Sequence, residues 1–268
     1  QPFEQVRKAA NHLREAGIQA LNFDIMYGLP YQTVDTVRRT AEQVVELAPS
    51  RIALFGYAHV PWMKKHQRLV SEAALPGPGE RIELARAARD FLREAGYVEV
   101  GIDHFARPED DMSIALGERS LRRNFQGYTT DQAETLIGLG ASSIGRTPEG
   151  FVQNATDEGA WRRAIEAGIL PTARGKAFEG EDLARAAVIE ELLCLFEADL
   201  AEIAKAHGHP ASIFDADMAS LSDFVEAGWV EIEGRHVRIA AHQWEIARLV
   251  ASRFDTYLGQ AGRHSAAV

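Results

Sequence analysis

The spacing of apolar residues in the first hundred positions alternates between two periods. Three segments repeat apolar residues every three to four positions, as one face of a helix does, and three shorter segments resemble half-buried strands. The helical segments are residues 3–16, 33–47 and 80–95, and the strand segments are residues 21–26, 52–57 and 98–104. Because the two kinds alternate, the order predicts an α/β layer of parallel strands joined by crossover helices.

The pattern changes twice further along the chain. Residues 105–180 show no regular period and are rich in glycine, arginine and aromatic residues, which indicates a functional connection rather than a linker. Two helices, a hairpin and a last helix follow, at residues 183–206, 217–226, 229–240 and 243–258. We therefore predict two parts, residues 1–150 and a mainly helical, winged-helix-like domain over residues 151–268.

Charge and cysteine content limit the classes of protein to which this chain can belong. The 268 residues include 29 Lys and Arg against 39 Asp and Glu, a formal net charge of −10, which disfavours non-specific nucleic-acid binding. No apolar run approaches the roughly 20 residues that span a bilayer, and no signal-peptide pattern opens the chain. Cys194 is the single cysteine and lies in an apolar helical run. We therefore expect a cytoplasmic protein with Cys194 in its core and no metal ligands of its own.

Two candidate site residues lie near the ends of the first two strands. Asp24 lies on the polar face of its strand, opposite Phe23 and Ile25, near the carboxyl end where parallel α/β folds place their sites. A carboxylate there suits ribose hydroxyls or a cationic group, or it caps the following loop. Ala58 would let a ligand approach the backbone, although taken alone it is better explained as a small core residue.

A dense set of polar and aromatic residues follows the third strand. Arginine binds carboxylates through two parallel hydrogen bonds, and aromatic rings stack on flat ligands. A solvated basic turn would have a similar composition, but we favour a site for a flat, carboxylated ligand. The candidates are Arg107, Arg123, Asn124, Gln126 and Tyr128.

A glycine-rich segment, LIGLGASSIG, occupies residues 136–145 and includes Ile144. It lacks the Lys-Ser/Thr end of a phosphate loop and no helical pattern follows it, so it is a weak nucleotide fingerprint. As a strand-to-loop segment, it would expose backbone groups that suit the edge of an adenine ring.

Five segments together carry a resemblance to a known family. They are residues 22–30 (NFDIMYGLP), 57–61 (YAHVP), 103–108 (DHFARP), 123–130 (RNFQGYTT) and 254–258 (FDTYL). The first resembles a late-barrel strand of radical S-adenosylmethionine (SAM) proteins of the porphyrin group. The others narrow the resemblance to the oxygen-independent coproporphyrinogen III oxidases, and it covers essentially the whole chain.

The resemblance implies a fold and an activity. The fold is α/β, the C-terminal portion of a partial (β/α) radical-SAM barrel followed by a mainly helical, winged-helix-like C-terminal domain. The activity is the conversion of two propionates of coproporphyrinogen III to vinyl groups, which gives protoporphyrinogen IX. Family members bind two SAM molecules and a 4Fe–4S cluster. By matching motif positions, Asp24 and Ala58 would contact the second SAM, and Ile144 would lie against the adenine of the cluster-bound SAM.

One part of the family pattern is missing. The three cluster cysteines, spaced C-x-x-x-C-x-x-C, have no counterpart here, and the chain opens in a helical pattern without Met. We therefore expect a fragment that lacks the N-terminal cluster-binding part and is inactive alone. The resemblance also implies an electron donor and an electron acceptor as partners. We expect a monomer that binds neither nucleic acid nor membrane.

Two alternative functions remain open. A related radical-SAM haem chaperone or haem-degrading methyltransferase would share residues 27–30, but residues 124–128 (NFQGY) argue against both. A non-enzymatic winged-helix DNA-binding regulator is the more distant alternative. Its recognition segment, residues 221–227, carries Asp223 and Glu226 and no Lys or Arg, so it would repel phosphates.

Overall fold

The computed structural model describes residues 1–241 and 243–258. Two short 3-10 helices, Lys65–Leu69 and Glu72–Ala74, precede the third helix. That helix begins at Pro78, whose fixed φ suits a first helical position. The main elements of the first part are α1 (Phe3–Glu15), β1 (Asn22–Tyr27), α2 (Val34–Glu46), β2 (Arg51–Gly56), α3 (Pro78–Glu94), β3 (Val98–Val100) and β4 (His104–Ala106).

Strands β1 and β2 pair in parallel, as predicted, with Asp24 opposite Ala53. One face of this pair is apolar and packs against α2 and α3. The buried residues of that core include Ile25, Val37, Ala41, Ile52, Leu84 and Leu92. Asp24 is exposed on the opposite face, which confirms the predicted orientation of the two faces.

The prediction of a third parallel strand over residues 98–104 is wrong. The chain turns at Gly101, whose φ is +60°, and forms β3 and β4 instead. Strand β4 runs antiparallel to both β2 and β3, so the sheet order is β1–β2–β4–β3. A Cβ at position 101 would lie 2.1 Å from Cζ of Tyr128, so only glycine fits this turn.

Residues 105–180, predicted to be irregular, contain several short elements. Strands β5 and β6 form a hairpin, and β7, β8 and β9 form an antiparallel sheet in that order. All residues of β9 are exposed, so no apolar alternation marks it in the sequence. The elements are α4 (Asp111–Gly117), β5 (Arg122–Asn124), β6 (Gly127–Thr129), β7 (Ile144–Thr147), β8 (Gly150–Asn154), α5 (Glu158–Glu166) and β9 (Thr172–Ala177).

The long helix predicted over residues 183–206 is also wrong, because the chain breaks at Phe196. This residue has a left-handed φ of +60°. The apolar spacing runs through the break because the short strand that follows buries Ala198, while Asp199 caps the next helix. Three elements replace the single helix: α6 (Asp182–Cys194), β10 (Glu197–Asp199) and α7 (Leu200–Ala206).

The predicted hairpin is confirmed, and β10 pairs with its second strand to give a three-stranded antiparallel sheet. The helices predicted over residues 217–226 and 243–258 are shorter than expected, because the first is divided and the second ends at Ser252. The elements are a 3-10 helix (Ala211–Phe214), α8 (Asp215–Ala219), α9 (Ser222–Glu226), β11 (Val230–Glu233), β12 (His236–Ile239), a 3-10 helix (Trp244–Ile246) and α10 (Ala247–Ser252).

A second and larger core joins residues from the end of β3 onward to the C-terminal helices. Its buried members include Val100, Tyr128, Val188, Leu192, Phe214 and Phe254. The predicted domain division at residue 150 stays a prediction, and the β7–β8–β9 sheet crosses that position. Within the described residues, no helix is both long and apolar enough to cross a membrane.

Candidate active site

Asp24 lies on the open face of the β1–β2 sheet. Its Oδ1 accepts a hydrogen bond from Asn22 Nδ2 at 2.8 Å. This partner lies on the same strand, so the bond does not support the alternative that Asp24 caps the loop after β1. Ala53 of β2 lies opposite Asp24, and His104 of β4 lies opposite Ala53. The carboxylate therefore faces open space beside a small residue and keeps acceptor capacity for a ligand.

Ala58 lies in a loop after β2 that a buried glutamine holds in place. Gln67 is 9% exposed. Its Nε2 donates to the Ala58 carbonyl at 3.0 Å, and its Oε1 accepts from the Val60 N–H at 2.6 Å. Ala58 itself is exposed, so it is not the small core residue that the sequence allowed. Its carbonyl is engaged by Gln67, so the residue meets solvent in a loop of fixed conformation.

Arg81 of α3 closes the carboxyl ends of β1 and β2. Its Nη1 donates to the Tyr57 carbonyl at 3.0 Å. A Cβ at Gly28 or Gly56 would lie 2.7 or 2.9 Å from its guanidinium nitrogens, so both glycines make room for this side chain. Its Nε is buried with no hydrogen-bond partner among the described residues. Sequence analysis missed Arg81 because it lies inside a regular helical pattern.

Ile144 begins β7 directly after the glycine-rich loop, so the segment is a loop that leads into a strand. Asn154 holds this loop by donating from Nδ2 to the carbonyls of Gly138 and Gly140 at 3.0 and 2.9 Å. A Cβ at Gly138 would lie 3.0 Å from the Ile144 backbone. Ile144 lies on the same sheet face as Arg146, whereas the other two residues predicted to contact SAM belong to the β1–β2 region.

A cleft of about 620 Å³ lies between the β5–β6 hairpin, the β7–β8–β9 sheet, α6 and the C-terminal segment. Its size is typical of small-molecule sites. Arg123 and Asn124, two of the predicted substrate residues, line it. Gln126 is exposed at the tip of the hairpin, where its N–H donates to Asn124 Oδ1 at 2.8 Å, and it lies at the edge of this region rather than in the cleft wall.

One row of the three-stranded sheet faces the cleft. Arg146 of β7 lies opposite Phe151 of β8, which lies opposite Lys176 of β9, and all three line the cleft. Phe151 also contacts Phe125 and Phe178 edge to face, with ring centroids 4.8 and 4.9 Å apart. The cleft therefore combines cations with a ladder of three phenylalanine rings.

Two arginines of the cleft have no carboxylate partner among the described residues. Arg122 is paired with Glu190 at 2.9 Å, and this hydrogen bond raises its pKa. Arg123 and Arg146 instead lie over aromatic rings, with guanidinium carbons 5.5 and 5.9 Å from the ring centres. The Nε of Arg123 is buried without a hydrogen-bond partner. These two guanidiniums are available to bind carboxylates.

Besides Gln126, two more of the predicted substrate residues do not line the cleft. Arg107 lies near the amino end of β2, where its Nε donates to the Pro49 carbonyl at 3.2 Å. Tyr128 is buried, and its hydroxyl donates to the Leu193 carbonyl at 2.8 Å and accepts from the Ile102 N–H at 3.0 Å. Burial raises the pKa of Tyr128. The Tyr128 hydroxyl is therefore fully engaged by the framework of the fold, whereas Arg107, whose side chain is 39% exposed, bonds to the framework through Nε.

Four residues on the sheet side of the cleft were not predicted from the sequence. The strands that carry or precede them are short or exposed, so no periodic pattern pointed to them. The signal that could have found them is a cation followed closely by an aromatic residue, in residues 146–151 and again in residues 176–178. The four residues are Arg146, Phe151, Lys176 and Phe178.

The one cysteine does not fit the role of a cluster ligand. Cys194 is 1% exposed in the second core, and burial raises the pKa of its thiol to about 12. A metal ligand must be the thiolate, which this environment disfavours. Within the described residues, no group of three or more His, Cys, Asp or Glu side chains is arranged to hold a metal ion.

Comparison with known proteins places these features in context. No protein-family model matches the chain. The chain is 45% identical to the oxygen-independent coproporphyrinogen III oxidase of Bradyrhizobium diazoefficiens and 43% identical to that of Paracoccus denitrificans. Each alignment covers 100% of this chain, and 60% and 59% of the respective relative.

A solved structure is similar as well. Coproporphyrinogen III oxidase (HemN) from Escherichia coli, described as a radical SAM enzyme, matches with a TM-score of 0.89 and 34% sequence identity. The match covers 96% of this chain and 60% of that chain. This chain thus spans about 60% of the length of its relatives. The resemblance drawn from the sequence motifs is confirmed, since the chain is similar over its whole length to the oxygen-independent coproporphyrinogen III oxidases.

Proposed function

We propose that a full-length protein containing this chain converts coproporphyrinogen III to protoporphyrinogen IX by oxidative decarboxylation of two propionates. The names of the relatives support this substrate. The observation that carries the proposal is the cleft, where Arg123 and Arg146 lack carboxylate partners and lie beside three phenylalanine rings. A porphyrinogen combines carboxylates with pyrrole rings, so its two kinds of group match these two kinds of side chain.

Asp24, Ala58 and Ile144 are the residues that we propose for SAM, two molecules of which would bind to the full-length protein. Asp24 keeps acceptor capacity after its bond with Asn22, and Ala58 is exposed in a loop that Gln67 holds in place. When bound, SAM would provide the radical that removes a hydrogen atom from a propionate. The 4Fe–4S cluster that this chemistry requires would be held by residues outside this chain. The role of this chain is to bind and orient, so we expect it to be inactive alone.

On the substrate side, we propose that Arg123 and Arg146 each bind one carboxylate. A carboxylate held by a guanidinium stays ionised, which is the form that leaves as carbon dioxide. Asn124 and Gln126 would add hydrogen bonds from the hairpin. The electron left on the substrate passes to an acceptor outside this chain. Arg107 and Tyr128 keep the framework roles that their hydrogen bonds give them.

The finer architecture is also a proposal. We infer that the β1–β2 pair is part of a partial (β/α) barrel in the full-length protein. Residues 182–239 run helix, strand, three helices, strand and strand, with one 3-10 helix after the second helix, an order that favours a winged-helix-like module. Because α9 carries Asp223 and Glu226 and no cation, we propose that the module covers the barrel mouth rather than DNA. We also propose that the full-length protein is a cytoplasmic monomer.

The first test is the product formed by the full-length protein. It would be purified without oxygen, reconstituted with iron and sulfide, and supplied with SAM, a reductant and coproporphyrinogen III. Formation of protoporphyrinogen, measured as protoporphyrin after oxidation, is the expected result. Haem binding without decarboxylation would indicate a chaperone, and methyl transfer with haem breakdown would indicate a degrading methyltransferase. Either outcome would replace the proposal.

The second test addresses the cleft. Arg123→Met and Arg146→Met should each lower kcat/KM by about tenfold or more, because each removes a charge-assisted hydrogen bond to substrate. Arg162→Met is the matched control, since Arg162 is exposed on α5 and lies outside the cleft. Unchanged kinetics in both cleft variants would remove the cleft from the substrate site.

A further inference from the structure

His104 lies at the junction between the sheet that carries Asp24 and the hairpin that carries Arg123. Ala53 separates His104 from Asp24 on one sheet face, so their Cα atoms are two strands, or about 10 Å, apart. On its other side the imidazole meets the Tyr128 ring edge to face, with centroids 5.2 Å apart. The Arg123 guanidinium carbon lies 5.5 Å from the centre of that same ring. His104 thus lies between the two regions.

Hydrogen bonds fix the orientation of this imidazole. Nδ1 lies 2.6 Å from Oδ1 of Asp103, and because a carboxylate oxygen only accepts, Nδ1 carries the hydrogen. The other oxygen of Asp103 accepts from Arg248 Nη2 at 2.9 Å. The Asp103 side chain is 12% exposed and that of His104 16%. Nε2 of His104 has no hydrogen-bond partner among the described residues, so it is free to meet a ligand.

Two uncharged rings flank the His104 imidazole. Phe55 from β2 and Tyr128 from β6 flank the ring edge to face, and neither is charged at neutral pH. Asp103 and Arg248 offset each other, so an imidazolium at His104 would keep an uncompensated positive charge. The charged groups on the elements around it include Asp24, Asp103, Arg123 and Arg248, together with Arg51 and Glu99, which pair with Asp110 and Arg89.

We propose that His104 is a substrate-binding residue that, in its imidazolium form, donates a charge-assisted hydrogen bond from Nε2 to a carboxylate of the tetrapyrrole, with Asp103 and Arg248 as positioning residues. Charges then alternate from Arg248 through Asp103 and His104 to the substrate. The inference rests on the proposed function. It adds a substrate contact between the sheet that carries Asp24 and the hairpin that carries Arg123. If the role of His104 were only to anchor the β3–β4 turn, the bond from Nδ1 to Asp103 would suffice.

Two substitutions separate these roles. In His104→Gln the amide nitrogen reaches the place of Nε2, whereas in His104→Asn it takes the place of Nδ1. The full-length holoenzyme would be titrated with coproporphyrin III, the stable fluorescent form that keeps all four propionates, and assayed for kcat and KM. We expect His104→Asn to weaken probe binding about tenfold or more and to raise KM with a smaller change in kcat. His104→Gln should stay within about threefold of the wild type.

The substitution Arg248→Met tests the positioning role of Arg248 while leaving His104 itself unchanged. It should weaken probe binding about threefold in the wild type and cause no further loss in His104→Asn, because it acts through that ring. Arg253→Met is the matched control, since Arg253 lies just after α10 and pairs with Asp223 at 3.4 Å. Unfolding midpoints of all variants establish that each is folded.

The outcomes distinguish this inference from the proposed function. If His104→Asn binds the probe as tightly as the wild type, or better than His104→Gln, the inference is overturned while protoporphyrinogen formation by the wild type leaves the proposed function standing. If the wild type forms no protoporphyrinogen but His104→Asn still loses probe affinity, the proposed function fails and the carboxylate contact remains.

Discussion

The guanidinium carbon of Arg89 lies 3.8 Å from the centre of the Trp244 ring. Arg89 belongs to α3, in the first part of the chain, whereas Trp244 lies in the C-terminal 3-10 helix. The arginine side chain is only 4% exposed. It donates to the Ile102 carbonyl at 2.9 Å, and burial lowers its pKa. A buried cation is costly unless its surroundings compensate, so the indole cover ties the C-terminal segment to the sheet.

Trp244→Ala should therefore destabilise the chain by about 2 kcal/mol or more, because it removes apolar cover and a cation–π contact from a buried charge. Trp244→Phe, which keeps a ring, should recover about half of the loss. Urea unfolding followed by circular dichroism measures both. Leu170→Ala is the control, since Leu170 is 84% exposed and should change stability by less than about 0.5 kcal/mol. An equal effect of Trp244→Ala and Leu170→Ala would contradict the role of this contact.

From the turn between β3 and β4 we predict that replacing Gly101 by alanine costs more stability than replacing Gly96. Gly101 and Gly96 both have positive φ, +60° and +88°, so alanine is strained at either position. A Cβ at Gly101 would also lie 2.1 Å from the Tyr128 ring, whereas nothing lies within 4 Å of a Cβ at Gly96. Gly96→Ala should cost about 1–2 kcal/mol, and Gly101→Ala at least about twice as much. Equal midpoints in chemical denaturation would show that the close approach to Tyr128 is not required.

The same turn shows what local pattern can and cannot predict. Alternation within β1 identified that strand and the face of Asp24, because β1 is buried on one side only. The turn at Gly101 escaped prediction because a ring distant in sequence, Tyr128, sets it. The break at Phe196 likewise depends on the pairing of β10 with β12. A local period carries no information about such partners.

The residues of the candidate site likewise differ in whether a local sequence pattern could predict them. Asp24 and Ala58 were predictable because strand ends are recognisable in the sequence and sites gather there. Arg146 and Lys176 were not, because their position in the cleft follows from the register with Phe151 across an exposed sheet. Arg107 and Tyr128 looked like ligand residues by type alone, and only their hydrogen bonds to backbone groups showed that they are engaged elsewhere.

Gln67 should control the loop that carries Ala58. It bonds the Ala58 carbonyl and the Val60 N–H, so Gln67→Ala leaves two backbone groups without their partner and should cost about 1–3 kcal/mol. In the full-length protein the same change should weaken SAM binding, measured by calorimetry. Gln19→Ala is the control, because exposed Gln19 makes one hydrogen bond, to the Arg14 carbonyl at 3.2 Å. Lost stability with unchanged SAM affinity would separate the loop from the proposed SAM site.

Cys194 and Tyr128 make stability sensitive to alkaline pH. Burial raises the pKa of Cys194 from 9.0 to about 12 in the folded chain, and it also raises that of Tyr128 above 10.0. The folded state thus holds protons that the unfolded state releases. The stability due to the neutral thiol is complete below pH 9, where both states are protonated. It is lost as the pH rises toward 12, and its full size is on the order of 4 kcal/mol.

Unfolding free energies measured between about pH 8 and pH 11 test this dependence. The wild type should lose stability steeply above pH 9. Cys194→Ala should start less stable, because it removes a buried sulfur atom, but its stability should fall less steeply because no thiol titrates. Tyr128→Phe should reduce the slope only above about pH 10. Iodoacetamide should leave native Cys194 unmodified at pH 8.5 and alkylate it in urea, because the thiolate is the reactive form. Parallel curves for the wild type and Cys194→Ala would mean that the buried thiol does not couple folding to pH.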